Sequence, residues 1–348
     1  MDQSVAPPRE RRTKLNTLQV LRAVAALAVL VFHASDISRV LGFTDGPHPV
    51  LLHLGPLGVN LFFVLSGFII YYVHGKDIGI ADRARNYTWR RFSRVWPLYA
   101  FITLANTVAE LAVGGPFEGG RILSSLLFLD AKPVVNVGWT LVHEAFFYAM
   151  FGAAIVGGRK FAASLVVGFC ALAIFAQLSS DETDSLYHWV FSAQKWYFVT
   201  GLGLACVFAN QLQLGDAKAS KRFGIGLFAA LFVCSIIALP FGSLATRMGW
   251  HLMVALAIAA CVGLLVFCET RFNLWLPRSL VYIGNASYSL YLVHSSVQYH
   301  LMKIASKISP ALTSDHLLFT LVVVSFVAIL AGILCYELVE KRLMKWFR

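Results

Sequence analysis

The segment "LQVLRAVAALAVLVFHAS", residues 18–35, decides the class of this protein. Its apolar run approaches the roughly 20 residues that a helix needs to cross a bilayer. Arg22 interrupts the run near one end and His33 near the other. Both side chains are costly in hydrocarbon, and such residues usually face a bundle interior or a water-filled cavity. The segment therefore predicts a membrane helix with a functional polar face.

Arg22 and His33 share one side of this helix. At 100° per residue their separation is about 20° beyond three full turns, and it spans about 16 Å along the axis. The alternative is that Arg22 reaches the lipid headgroups and His33 caps the outer end. Two polar side chains on one face favour the functional interpretation. Small residues between them allow close approach of neighbouring helices: Ala23, Ala25, Ala26 and Ala28.

The whole chain has the composition of a polytopic membrane protein. Of its 348 residues, 58% are hydrophobic and 14% are charged, and the mean hydropathy is +0.69. A soluble domain has about 25% charged residues. The six cysteines form no CxxC pair, so they predict neither a disulfide framework nor a metal site. We therefore expect an all-α membrane helix bundle without a metal.

Ten apolar segments predict about ten transmembrane helices in a single domain, residues 15–345. The preceding tail, residues 1–14, is polar and basic, and we expect no soluble second domain. The ten segments are 15–35, 56–74, 95–114, 138–157, 161–178, 189–210, 222–241, 249–269, 280–304 and 317–340.

The positive charges predict the orientation of the bundle. Most of the 29 lysines and arginines lie in the two terminal segments and in alternate loops. Cytoplasmic loops are enriched in these residues, so both termini are expected in the cytoplasm. The net charge of +11 then reflects topology and attraction to anionic membrane lipids, and it does not indicate nucleic acid.

The stretch "RNYTWRRFSRVWPLY", residues 85–99, carries the densest basic cluster. If it is helical, Arg91 and Arg94 lie one turn apart, with Arg90 four residues before Arg94. Guanidinium forks match phosphate oxygens, which favours an anion site. The alternative is ordinary cytoplasmic charge beside tryptophan anchors.

Further polar side chains interrupt other apolar segments. Asn60 lies near the outer end of the second segment and Ser66 within it, where Ser66 also fits a packing seam. Glu144 follows Trp139 and precedes Tyr148 in the fourth segment. The last two segments contain Ser287, Tyr288, Ser289, His294, Glu337 and Glu340.

Two of these acidic residues have competing interpretations. A helix that enters from outside places Glu144 about 9 Å below its start, close to the depth of His33, so the two can pair. The alternative is a headgroup-level acid in an aromatic belt. Glu340 can equally form a plain surface pair with Lys341.

In their order, these motifs resemble the acyltransferase-3 family of membrane proteins, and within it bacterial exopolysaccharide O-acetyltransferases. The resemblance covers residues 15–345. It rests on Arg22 with His33, "FFVLSGF" at 62–68, "RRFSRVWP" at 90–97, "WTLVHEAFFY" at 139–148, "SYSLYLVH" at 287–294 and "VEK" at 339–341.

The resemblance implies transfer of an acyl group, usually acetyl, from cytoplasmic acyl-CoA to a hydroxyl of a carbohydrate or lipid-linked glycan. It implies that Arg22 and His33 are essential, that Arg91 and Arg94 are the paired cytoplasmic arginines, and that Glu144 is the acidic residue of the tryptophan-containing motif. It also implies a bacterial inner membrane. Many relatives have Asp where this chain has Asn60, so a charge at that position is absent here.

The expected mechanism follows the polar face. The phosphates of acetyl-CoA bind Arg91 and Arg94, with Arg90 beside them. The pantetheine arm passes Arg22, and His33 acts as general base or is transiently acylated.

The residue that orients His33 has two candidates, Glu144 and Asp36. Further residues are expected to support the site. They are Asp36, Asn60, Ser66, Trp139, Tyr148, Tyr288, His294 and Glu340. One alternative is a transporter that uses Arg22, His33, Glu144 and Glu337 as a proton or solute path. Another is a non-catalytic membrane partner of a polysaccharide export machine.

Overall fold

The computed structural model describes residues 15–44, 53–112, 114–130, 132–179, 194–209, 217–238, 242–272 and 274–347. Within these ranges the secondary structure is helical, and no strand occurs. The predicted N-terminal tail, residues 1–14, lies outside the described residues.

Twelve α-helices follow one another in the described ranges. They are α1 Asn16–Val40, α2 Leu54–His74, α3 Asp82–Ala112, α4 Gly119–Leu126, α5 Trp139–Ser179, α6 Gln194–Val207, α7 Ala217–Ala238, α8 Gly242–Phe272, α9 Arg278–Asn285, α10 Ser287–Ile308, α11 Leu317–Cys335 and α12 Lys341–Trp346. A π-helical turn, Tyr336–Glu340, joins the last two.

Six helical stretches of the described residues are long and apolar enough to cross a membrane. They are Asn16–Val40, Leu54–Asp77, Asp82–Ala112, Asn136–Phe175, Met248–Phe272 and Leu317–Trp346. The protein is therefore an all-α membrane protein, as its composition predicts. Each of the ten predicted segments overlaps a described helix, but the count of about ten spans stays a prediction.

The α5 segment consists of two helical arms that run antiparallel and meet at a sharp bend. Gly158 has φ 82° and ψ −177°, a backbone conformation that favours glycine. The rings of Phe146 and Phe169 lie 5.9 Å apart, although these residues would be about 35 Å apart along a straight helix. The chain thus reverses at Gly158, where the sequence separates segment 138–157 from segment 161–178.

Helix α1 lies at the centre of the site and packs against α2, α9 and α10. The small alanine side chains of α1 allow this close packing. Ala23 and Ala25 are fully buried, and a side chain at Gly58 of α2 would collide with the backbone oxygen of Ala25 at 2.7 Å. On the other side, a side chain at Gly284 would meet the backbone oxygen of Gln19 at 1.9 Å. Close packing therefore fixes the direction in which Arg22 points.

Candidate active site

A cavity of about 790 Å³ lies between α1, α2, α3, α5, α10 and the C-terminal segment. Polar side chains from the five α-helices line it. Those that the sequence analysis singled out are Arg22, Ser66, Arg90, Arg91, Arg94, Glu144, Tyr148, Ser287 and Tyr288. The fold thus brings together motifs that are up to 266 positions apart in the sequence.

The basic cluster forms one end of the cavity. Helix α3 turns Arg91 and Arg94 inward, and the Arg91 guanidinium lies 5.4 Å from the centre of the Tyr148 ring. The Nε of Arg91 is buried and has no hydrogen-bond partner among the described residues. Arg90 is exposed and donates from Nε to Asn86 at 3.2 Å. This end is therefore suited to an anionic ligand.

Arg22 lies deeper in the same cavity. Its Nε donates to the hydroxyl of Ser287, the first residue of α10, at 3.1 Å. Arg94, Glu144 and Glu340 all interact with it electrostatically. The guanidinium therefore sits within a network of charges, not at the lipid headgroups.

Glu144 is held on the opposite wall by two hydroxyl donors. Ser66 donates to its carboxylate at 3.1 Å, and the hydroxyl of Tyr148 donates to the same oxygen. Ser66 is thus a hydrogen-bond donor to the Glu144 carboxylate and not only part of a helix-packing surface. The pairing expected between Glu144 and His33 is not among the described contacts of either side chain.

The reason for this difference is the starting depth of α5. Thr140, in its first turn, already contacts the hydroxyl of Tyr291 at 3.0 Å. Tyr291 lies one turn beyond Ser287, the partner of Arg22. Glu144 is one turn further along α5, in the cavity that the basic cluster also lines, and it interacts electrostatically with Arg22. The depth estimate from the sequence was counted from the start of the helix alone, whereas the contacts of Glu144 are with Ser66 and Tyr148.

His33 lies beyond the inner end of the cavity and is absent from its lining. Its ring contacts Phe32 at 5.0 Å and His294 at 5.2 Å between centroids. Tyr291 lines the cavity and also lies 5.8 Å from the His294 ring. Together with Phe62, whose ring is 5.8 Å from its own, Tyr291 separates the cavity from the histidines.

Asp36, the other expected partner of His33, is engaged elsewhere. Its carboxylate accepts two hydrogen bonds from Arg39, at 2.7 and 3.2 Å. It influences His33 electrostatically, without a hydrogen bond to it in the described part of the chain.

The remaining supporting residues divide into two groups. Tyr288 donates to the backbone oxygen of Val95 at 2.7 Å and lines the cavity. Asn60 is half-buried in α2, and Trp139 packs edge-on against the His143 ring; neither lines the cavity.

Glu340 points into the protein. It is 2% exposed and accepts a hydrogen bond from Ser289 at 2.5 Å. Lys341 pairs instead with Glu337, at 2.5 and 2.7 Å. The surface pair considered for Glu340 and Lys341 is therefore wrong, because the π-helical turn rotates Glu340 toward α10.

Sequence reasoning missed Tyr291 and the pair of Lys195 with His143. Tyr291 shares a face of α10 with Ser287 and His294, a helical spacing that was available as a signal. The ammonium of Lys195 contacts His143 Nδ1 and lies 5.2 Å from the Phe146 ring. Lys195 and His143 are 52 residues apart, and no local pattern indicates that they meet.

The sequence profile of a family described as an acyltransferase domain matches residues 15–336. No solved structure gave a significant match.

Three curated relatives are similar over most of this chain. The exopolysaccharide production protein ExoZ of Rhizobium meliloti (strain 1021) is 28% identical, over 76% of this chain and 80% of its own length. The acyltransferase MdmB of Streptomyces mycarofaciens is 27% identical, over 84% and 80%. The putative peptidoglycan O-acetyltransferase YrhL of Bacillus subtilis (strain 168) is 24% identical, over 80% of this chain and 48% of its own length.

Proposed function

This chain belongs to the acyltransferase domain family, and we propose on that premise that it is an O-acyltransferase that uses acetyl-CoA. The acceptor is a hydroxyl of a cell-surface or lipid-linked carbohydrate. The names of two relatives, an exopolysaccharide production protein and a putative peptidoglycan O-acetyltransferase, support a carbohydrate acceptor. The proposed location is the bacterial inner membrane, with both termini in the cytoplasm.

The observation that carries the proposal is the shape and charge of the 790 Å³ cavity. Three arginines, Arg90, Arg91 and Arg94, gather at one end, where they bind the phosphates of acetyl-CoA. Trp89 and Phe347 line the same end and offer aromatic surface beside the nucleotide. The extended arm of the cofactor then runs inward toward Arg22.

Arg22 is placed to bind the donor on its way to His33. It lines the cavity, and its Nε is held by Ser287, so the guanidinium has a fixed orientation. Its terminal nitrogens make no hydrogen bond within the described residues, and in this proposal they bind the arm of the donor. A fixed cation there positions the arm while the thioester lies further in, toward His33.

His33 performs the proton transfer in this proposal. It takes the proton of the acceptor hydroxyl, whose oxygen attacks the thioester carbon, and the thiol of CoA leaves with the proton. The same residue can instead carry the acyl group transiently. In either route the thioester must pass Phe62 and Tyr291, which separate the cavity from His33.

Label transfer in membranes tests the function. Membranes containing the wild-type protein are supplied with acetyl-CoA labelled on the acetyl group and with host glycans. We expect label in the glycan or lipid fraction with wild type, and none above background with His33→Ala at a matched protein level. A transporter or a non-catalytic partner would show no CoA-dependent label transfer. Absence of transfer with every acyl-CoA and acceptor tried would contradict the proposal.

The basic cluster has its own test in the same assay. The double variant Arg91→Gln/Arg94→Gln is expected to raise the KM for acetyl-CoA by about 10-fold or more, because each charge-assisted contact contributes on that scale. The control is Arg85→Gln, since Arg85 is exposed on the same helix and lies outside the cavity lining. Equal KM values for the two variants would exclude the cluster from donor binding.

A further inference from the structure

His33, which is half-buried, and the buried His294 face each other from neighbouring helices. Their ring centroids lie 5.2 Å apart and their planes are tilted by 51°. His294 is 1% exposed. One turn further along α10, the fully buried Gln298 donates from Nε2 to the backbone oxygen of Leu30 at 3.0 Å. This bond fixes α10 to α1 at the level of the two histidines.

The contacts of His294 define its proton arrangement. Its Nδ1 lies 3.1 Å from the backbone oxygen of Leu290. A carbonyl oxygen only accepts, so Nδ1 carries the proton, and Nε2 of the neutral ring is an acceptor. That Nε2 is buried and has no hydrogen-bond partner among the described residues. Buried polar atoms are normally paired, and one that is not calls for a functional explanation.

The carboxylates that the sequence offered as partners of His33 are engaged elsewhere. Glu144 accepts from Ser66 and Tyr148, and Asp36 accepts from Arg39. Of the polar side chains in the described ranges, His294 is the one whose ring contacts His33. The 5.2 Å between the ring centroids allows an N–H of His33 to reach this acceptor when the two nitrogens point toward each other.

We infer that His294 is the positioning residue of His33, and that its Nε2 accepts a hydrogen bond from the His33 ring during acyl transfer. This inference rests on the proposed function. With one nitrogen of His33 donating to His294, the opposite nitrogen faces the acceptor hydroxyl as a base. The hydroxyl O–H bond breaks, the oxygen bonds to the thioester carbon, and the proton passes through His33 to the departing sulfur. His294 keeps its own proton on Nδ1 throughout.

Two substitutions of His294 separate positioning from packing. Asparagine retains a donor near the place of Nδ1, toward the backbone oxygen of Leu290, but lacks an acceptor near Nε2. Glutamine places an amide oxygen near Nε2. We expect His294→Asn to lower kcat by about 10- to 100-fold with little change in the KM for acetyl-CoA, because a hydrogen bond to a charged group is lost. His294→Gln is expected to recover part of that loss.

The control uses the same labelled acetyl-CoA assay at matched protein levels. His300→Asn alters an exposed histidine on the same helix and is expected to retain wild-type kcat.

The outcomes distinguish failure of this inference from failure of the proposed function. Loss of transfer in His33→Ala together with wild-type kcat in His294→Asn overturns the inference alone. Equal losses in His294→Asn and His294→Gln, with a raised KM, also overturn it, since they indicate a packing role. Full transfer by His33→Ala contradicts the proposed role of His33 itself, and the inference falls with it.

Discussion

Arg22 shows how a single costly side chain becomes useful inside a membrane bundle. An arginine near the middle of a membrane helix costs about 2.5–3.5 kcal/mol on insertion scales, so it is retained where it has partners. Here Ser287 holds its Nε at 3.1 Å, and Glu144 and Glu340 supply opposite charge. The remaining nitrogens are directed to a cavity that Arg94 also lines.

Arg22→Lys is predicted to reduce kcat/KM by roughly 10- to 100-fold although the charge is kept. Lysine offers a point charge and lacks the planar fork, so it cannot hold Ser287 and bind the donor at the same time. The measurement is label transfer from acetyl-CoA at matched protein levels. Ser287→Ala is the comparison. A loss of activity in Ser287→Ala as large as that in Arg22→Lys would mean that Arg22 acts only through Ser287. Wild-type activity of Arg22→Lys would show that the planar guanidinium is not needed in the mechanism.

Glycines decide how closely the helices approach. The crossing of α2 and α6 is tight on both sides. A side chain at Gly67 would lie 2.1 Å from the backbone oxygen of Phe198, and one at Gly201 would lie 2.0 Å from that of Val64. These contacts involve backbone atoms, which cannot move aside by changing rotamer. The crossing positions the second half of α2, which supplies Ser66 to the site.

Gly201→Ala is predicted to destabilise the protein by about 1–3 kcal/mol, the usual cost of inserting a methyl group into a packed interface. Gly226→Ala is the matched control, because Gly226 is exposed in α7 and a side chain there meets nothing within 4 Å. Thermal unfolding of the purified protein in detergent should show a lower midpoint for Gly201→Ala and no decrease for Gly226→Ala. Equal midpoints would show that the α2 and α6 backbones separate without cost.

At the scale of the whole molecule, both ends of the described chain lie on the side of the basic cluster. Trp89 of α3 donates from Nε1 to the backbone oxygen of Phe347 at 3.0 Å. At the other end, Glu269 accepts from the backbone N–H groups of Asn16 and Thr17 at 2.7 and 3.0 Å, close to Arg271. Positive charge concentrated on one face favours the cytoplasm for that face.

Cysteines introduced one at a time at exposed positions, in a variant whose six native cysteines are replaced by serine, test this orientation in intact cells. Lys307→Cys lies at the C-terminal end of α10, at the opposite end of that helix from Ser287, and is predicted to react with a membrane-impermeant maleimide added outside. Lys345→Cys lies in α12 beside the basic cluster and is predicted to react only after permeabilisation. Both residues are exposed. The opposite labelling pattern would invert the topology and place the arginine cluster outside, away from cytoplasmic acyl-CoA.

The site could be predicted from sequence wherever it depends on local spacing. The common face of Arg22 and His33 and the turn that joins Arg91 to Arg94 follow from helical periodicity. Ser66 and Glu144 stand out as polar residues within apolar segments. The pairing of Glu144 could not be predicted, because it depends on how deep α5 begins. That depth is set by the contact of Thr140 with Tyr291 on another helix.

The sequence by itself determined that this is an all-α membrane protein of an acyltransferase family, because long apolar segments and ordered motifs are local properties. Only the tertiary structure decided which polar side chains meet. It placed Glu144 with Ser66 and Tyr148, turned Glu340 inward to Ser289, and brought His294 to His33. Those pairings depend on the relative depth and rotation of helices, and close contacts such as that of Gly284 with Gln19 fix both.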